Sequence, residues 1–204
     1  MDIAIAIMIG LDLSAACGLR VFVPLLALAV AAKVGVLALG TSLGWIGSTE
    51  AIVAFSVATV LEIVAYKVPW LDHALDTVAS PAAVMAGTIV SASQIGAISG
   101  ISPLMQWSCA LIVGGGIAGI MQTGSVSTRV ASTVVTGGIA NPFISVIQSV
   151  MAVVMSVLAV LVPILAIVLV GFMLCGAGLV IFWIARIRRT RRVAPVAVVS
   201  TSVA

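Results

Sequence analysis

From Pro142 to Ala185 the chain runs for 44 residues without an aspartate, glutamate, lysine, arginine or histidine. A run that long and that apolar has no polar face to turn toward water, so it belongs in a lipid bilayer. As one straight helix it would extend roughly 66 Å at ~1.5 Å per residue. That is about twice a hydrocarbon core of ~30 Å. The run therefore predicts two spans, divided at Pro163 in "SVLAVLVPILAIVL", because proline interrupts the helical hydrogen-bond ladder. One kinked helix is the alternative division.

The remainder follows the same pattern. Hydrophobic residues make up 63% of the chain and charged residues 7%, and the mean hydropathy is +1.38. That leaves too little polar surface to coat a soluble sphere. The apolar runs predict an all-α integral membrane bundle of seven spans, at 3–17, 22–39, 51–68, 82–100, 104–122, 142–161 and 163–185. Six spans is the alternative if the last two are one helix. Residues 1–185 form a single transmembrane domain in this reading, followed by a basic tail over 186–204. The N-terminus has no basic n-region, so the first run is expected to be retained rather than cleaved as a signal peptide. Ser80-Pro81, Ser102-Pro103 and Asn141-Pro142 read as helix starts, each a polar cap followed by proline at the first helical position. Pro24 and Pro163 read as starts without a polar cap.

Charge sets the orientation. Five of nine basic residues lie in "ARIRRTRR", directly after the last span. There they anchor a helix at cytoplasmic headgroups, which removes the case for a nucleic-acid partner. With the tail inside, seven spans put the N-terminus outside. Arg20, the Lys67–Asp76 stretch and Arg129 then fall on the cytoplasmic side, and the opposite connections at 40–50 and 101–103 carry no Lys or Arg. Only Lys33 is off-pattern, and it can snorkel. Trp45 and Trp70 sit at span ends, where interfacial anchors are expected. The three cysteines lie in separate apolar runs and read as small core residues.

Two cytoplasmic connections, "DLSAACGLRVFVP" and "STRVASTVVTGGIANPF", are rich in small residues with one arginine each. They are expected to dip into the membrane as re-entrant or broken helices, a device that membranes tolerate where backbone lines a cavity or is buried. "TVAS" at 77–80 and "RVAS" at 129–132 hint at an internal repeat. GxxxG occurs at Gly40–Gly44, Gly96–Gly100 and Gly115–Gly119. These motifs predict close helix packing, and the last is a candidate homo-oligomer face. Ser145, Gln148, Ser149 and Ser156 share one face of their span, as interhelical hydrogen-bond donors or as a polar pathway lining.

The candidate site residues are the ionisable groups at membrane depth and their neighbours. Glu62 and Asp12 lie within spans, where a charge is costly and faces a cavity or a partner. Arg20, Arg129 and Lys67 are the candidate partners. Tyr66 lies one turn from Glu62. Asp72 and Asp76 are four apart, so on a helix they share a face. Such a pair binds a hard cation, shares a proton or caps a helix start in water. Asn141 marks the turn of the last broken segment. His73, the only histidine, has no serine or cysteine in a nucleophile context.

"GLRVFVPLLAL", "WLDHALDTVASP" and "STRVASTVVTGGIANPFIS" together resemble a family of small multi-pass bacterial membrane proteins catalogued only as a domain of unknown function. The resemblance covers roughly residues 10–185 and implies a bacterial inner-membrane location, with no established activity. The family pattern carries an acidic residue at the third motif, where "GGIANPF" has none, so the resemblance implies no carboxylate role there.

The metal-protease, nucleophile-elbow, P-loop and Rossmann patterns are absent, so no enzyme is expected and no cofactor is implied. Two functions stay open. One is a transporter or channel for an ion or small anionic solute, in which carboxylates bind a proton or cation. The arginines and the backbone N–H groups after Gly18 and Gly138 then meet an anionic group. The other is a membrane scaffold or subunit of a larger complex.

Overall fold

The structure is a computed structural model describing residues 3–66 and 72–192. Every regular element among them is helical: α1 (Ile3–Cys17), α2 (Phe22–Lys33), a 3-10 helix (Thr41–Gly47), α3 (Thr49–Ala65), α4 (Asp72–Ile95), α5 (Pro103–Cys109), α6 (Gly116–Thr136), α7 (Asn141–Leu161) and α8 (Pro163–Arg192). A π-helical segment, Ala110–Gly115, joins α5 to α6, so Pro103–Thr136 is one continuous rod.

Among the described residues four helices are long and apolar enough to cross a membrane: Asp76–Ile95, Pro103–Thr136, Asn141–Leu161 and Pro163–Trp183. The 3-10 helix and α3, bent by 63° at Ser48, make a fifth if the pair counts as one span. The first two helices have 15 and 12 residues. Each falls short of the ~20 that a full crossing needs. Each of the seven expected segments contains a helix, but only four or five reach the length of a crossing, so seven full spans are not what the fold shows.

The expected boundaries held where a local rule acts alone. At Ser102-Pro103 the serine Oγ accepts from the Met105 N–H, and proline takes the first helical position. The final apolar run breaks at Val162, whose φ of −142° leaves the helical region, and α8 starts on Pro163. Elsewhere packing overrode the signal. Pro81 starts nothing and lies inside α4, while the Ser80 hydroxyl donates to the Asp76 carbonyl one turn earlier. The second span ends at Lys33 rather than at 39, and Gly35 turns the chain at φ +78°. The expected break over "STRVASTVVT" is continuous helix to Thr136, and only Gly137 and Gly138, at φ +64° and +89°, turn it into α7.

α1 is the centre of the bundle. It packs against α2, α4, α6, α7 and α8, and every residue from Asp12 to Val21 is buried. It runs antiparallel to α4: Gly10 lies against Ser91 and Gln94, and Ser14 Oγ donates to the Gly87 carbonyl at 2.8 Å. The π segment closes on the other side of α4 through small residues. A Cβ on Gly87 would fall 2.6 Å from the Ala118 Cβ and 2.8 Å from the Gly114 carbonyl oxygen. Gly115 and Gly119 likewise meet Val84 of α4. Gly115 and Gly119 thus pack within the chain, as helices in lipid gain by close backbone approach.

Candidate functional site: a buried arginine–tyrosine cluster

The C-termini of α1, α3 and α6 and the N-termini of α2, α4 and α7 meet at one end of the bundle. Gly40, the 3-10 helix and the α4–α5 connection lie at the other, where the Gly40 N–H donates to the Ser93 carbonyl. Between α1 and α2 the chain breaks over residues 18–21, inside the protein. Gly18 is required there, because a Cβ would collide with Met121 and with the Ala118 carbonyl of α6.

That break presents two features. Arg20 turns into the bundle at 1% exposure. Its Nε donates to Ser149 Oγ at 2.9 Å, and Nη2 donates to the Ser145 carbonyl and hydroxyl at 2.9 and 2.5 Å. The buried polar face expected on α7 is thus an arginine cradle. Meanwhile α2 begins at Val21, a residue with no side-chain acceptor. Glu62 of α3 supplies one from outside: its two carboxylate oxygens accept the Val21 and Phe22 N–H groups at 2.8 and 3.1 Å. A carboxylate at a helix N-terminus meets both the orphan donors and the positive end of the macrodipole. Among the amides after Gly18, those of Val21 and Phe22 face this internal carboxylate.

Tyr66 follows α3 as its C-cap and packs its ring against both arginines. The Arg20 and Arg129 Cζ atoms lie 4.1 and 4.6 Å from its ring centroid, and the ring is 5% exposed. Two guanidiniums against one ring are each attracted to it but repel one another, so counter-charge is needed nearby. Asp76 provides it. Its Oδ1 sits 2.6 Å from Arg129 Nη2 and accepts the Tyr66 hydroxyl at 3.2 Å. Arg129 also donates to Ser125, its own residue i−4, at 3.3 Å.

Five of the eight residues singled out from sequence therefore meet: Arg20, Glu62, Tyr66, Asp76 and Arg129. Asn141 stands beside them in a supporting role. Its Nδ2 donates to Thr133 Oγ1, which donates to the Arg129 carbonyl, so it staples the α6–α7 turn. Asp12 is not in the cluster. It lies five residues before α1 ends, fully buried, and neither carboxylate oxygen has a hydrogen-bond partner among the described residues. Asp72 opens α4, four residues from Asp76 as expected. Its side chain and that of His73 lie outside the described residues, as do Lys67, Pro69 and Trp70 entirely. No group of three metal-ligating side chains occurs among the described residues. Sequence reasoning missed Ser125, Ser145 and Ser149 as arginine partners. It also missed Glu62 as a cap, although the uncapped start of α2 was the signal for one.

The cluster lies inside the apolar belt. Val134, Val135, Ile139 and Phe143, each at least 71% exposed, continue past Arg129 along α6 and into α7. Arg129 thus sits about 9 Å inside the end of that surface at ~1.5 Å per residue. Two cavities flank it. One of 370 Å³ is lined by Leu19, Ser125, Gln148 and apolar residues of α6 to α8. The other, of 260 Å³, lies between α4 and α6 and is lined by Asp76, Thr77, Ser80, Arg129 and Thr133.

Residues 7–184 match a family model described as "Domain of unknown function (DUF4126)". The match spans most of the chain, and the chain belongs to this family, an uncharacterised one as its motifs implied. No curated protein and no solved structure matches it.

Proposed function

We propose that this DUF4126 protein is a small transporter of the bacterial inner membrane, moving a small anionic solute together with a proton. The observation that carries this reading is Glu62 lying across the start of α2 at a buried helix break, beside two guanidiniums. Broken helices whose N-terminal dipoles bind anions are a recurring transporter device. Here the anion position is filled by a tethered carboxylate. Deprotonated, Glu62 competes with solute for the Val21 and Phe22 amides. Protonated, it releases them, and a solute carboxylate or phosphate takes the amides and Arg20. Asp76 competes in the same way for Arg129. The N-terminus is outside and the charged end cytoplasmic in this reading, following the positive-inside bias.

Uptake into proteoliposomes of a panel of anionic metabolites tests it. Flux is expected to rise as pH falls on the loading side. Glu62→Gln, which cannot compete as an anion, is expected to keep flux and lose that pH dependence. Absence of flux for every solute, or a Glu62→Gln variant with an unchanged pH profile, would sink the proposal. Stable co-purification with other membrane subunits, without flux, would point to the scaffold reading.

A further inference from the structure

Asp12 is the buried carboxylate that the arginine–tyrosine cluster leaves out. It is 0% exposed, and neither of its oxygens has a hydrogen-bond partner among the described residues. Its position on α1 explains the isolation. Gly10 and Ser14 form the face held against Ser91 and Gly87 of α4. Asp12, two residues from each, projects about 160° away from that face at ~100° per residue. Ala15 and Ala16, three and four residues on, share its side of the helix. Both pack in an apolar cluster with Met121 of α6, Ala152 and Met155 of α7 and Val170 of α8. The helices around α1 bring Asp12 no charge. α7 and the π segment carry no ionisable residue. α2 carries Lys33, which is exposed and donates to Thr49 Oγ1 at 3.1 Å. α4 carries Asp72, His73 and Asp76 in its first turns, and α6 carries Arg129, all at the cluster end. α8 carries Cys175, which is exposed, and basic residues only from Arg186 on. α1 itself adds Cys17, packed in a second apolar cluster with Leu13 and Val21. The contacts of Gly10 and Ser14 put Asp12 level with about residue 90 of α4. That is roughly 21 Å from Asp76 at ~1.5 Å per residue.

We propose that Asp12 is a proton-binding site: its carboxyl holds a proton in the packed protein and releases it only as α1 parts from α7 and α8. An ionised carboxylate without hydrogen bonds or a counter-charge is far costlier in apolar surroundings than the neutral acid. The surroundings also select the ligand. Hard metal cations take about six or more oxygen ligands, whereas the cluster on this face of α1 offers methyl, methylene and thioether groups. A proton needs only the carboxyl itself. Release has a structural consequence, because the resulting charge demands water where the packing around Ala15, Ala16 and Met155 excludes it. Proton occupancy and the packing of α1 are thereby one equilibrium. The site rests on this packing alone, and it stands whether or not a solute passes the Glu62 break.

Infrared difference spectroscopy of the full chain in liposomes tests this, with every aspartate isotopically labelled at its side-chain carboxyl carbon. The aspartates are Asp2, Asp12, Asp72 and Asp76, and the label sets them apart from Glu50 and Glu62. At neutral pH a protonated-acid carbonyl band that shifts with the label is expected. It is expected to be missing from Asp12→Asn and from Asp12→Ala, and to persist when sodium or potassium chloride is added. Amide hydrogen exchange over α1 is followed alongside, against Asp12→Asn at the same pH so that intrinsic exchange chemistry cancels. The two are expected to exchange alike at neutral pH. Once alkali removes the band, α1 of the unsubstituted protein is expected to exchange about tenfold faster or more, the mark of local opening. A band that persists to the highest pH at which α1 stays protected supports the proposal equally. Absence of any aspartic-acid band at neutral pH overturns it, and that reading needs no variant to fold. A band retained in both variants, its loss on adding either salt at constant pH, or its loss with α1 exchange unchanged would overturn it too. The label excludes glutamate, so this result is separate from the Glu62→Gln pH profile that tests transport.

Discussion

At the scale of single residues, the cluster turns on who neutralises whom. Arg129 is 2% exposed and holds Asp76 at 2.6 Å. Removing one partner of a buried pair strands the other charge, at a cost of about 3–5 kcal/mol. Arg129→Met and Asp76→Leu are each expected to lower the melting temperature in detergent sharply. The double variant is expected to lose clearly less than the sum, which a double-mutant cycle reads directly. Tyr66→Phe removes one hydrogen bond to Asp76 but keeps the ring, so it is expected to cost about 1 kcal/mol. Tyr66→Leu removes the surface that both guanidiniums share and is expected to cost more. Additivity in the double variant would mean that Asp76 and Arg129 do not act as a pair. Sequence spacing exposed these residues because charge is scarce in the chain and each charge stands out. It did not expose their partners. Ser145 and Ser149 could have met any helix, and only the fold aims Arg20 between them.

At the scale of helices, two kinds of glycine separate. Gly87 and Gly114 sit where α4 and the π segment approach backbone to backbone, while Gly116, two residues on, faces open space. Gly87→Val is expected to cost about 1–3 kcal/mol through overpacking. Gly116→Ala is expected to be neutral or to gain up to about 1 kcal/mol from helix propensity. Melting curves of the two variants side by side check the contrast. Equal effects would mean that the α4–α6 contact is not the tight one. The sequence showed small residues in this region but not which neighbour they meet, because a GxxxG pattern is the same for a partner helix in the chain and one in another copy. Helix ends followed the same logic. Ser102-Pro103 acted through its own backbone and was legible. Pro81 was not, because burial of the following residues, Ala83 and Ala86 among them, carries α4 through a proline that alone would end it. The π segment had no legible signal: no residue within "ALIVGG" marks one, and its Gly114 lies against Gly87 of α4.

At the scale of the whole molecule, the bundle has a charged end and a bland end, and a broken central helix. The grouping was readable from charge placement: Arg20, Asp76 and Arg129, assigned to one side from sequence, converge at one end of the bundle. The span count was less readable, because apolar runs of 15 and 12 residues look like spans in a sequence yet can also be the two arms of a buried break. The topology makes a test possible. Gly44, in the 3-10 helix at the bland end, has nothing within 4 Å of an added Cβ, and Ile139, in the turn between α6 and α7 at the charged end, is 79% exposed. Each is replaced by cysteine in a background where Cys17, Cys109 and Cys175 are alanine. A membrane-impermeant maleimide added to intact cells is expected to label the residue-44 variant and to spare the residue-139 variant until the membrane is opened. The reverse result would invert the orientation and put the Glu62 break on the outer side. Labelling of both variants from one side would mean that the two ends of the bundle are not on opposite faces of the membrane. The broken α1–α2 pair would then be lying along the interface instead of crossing toward the other face.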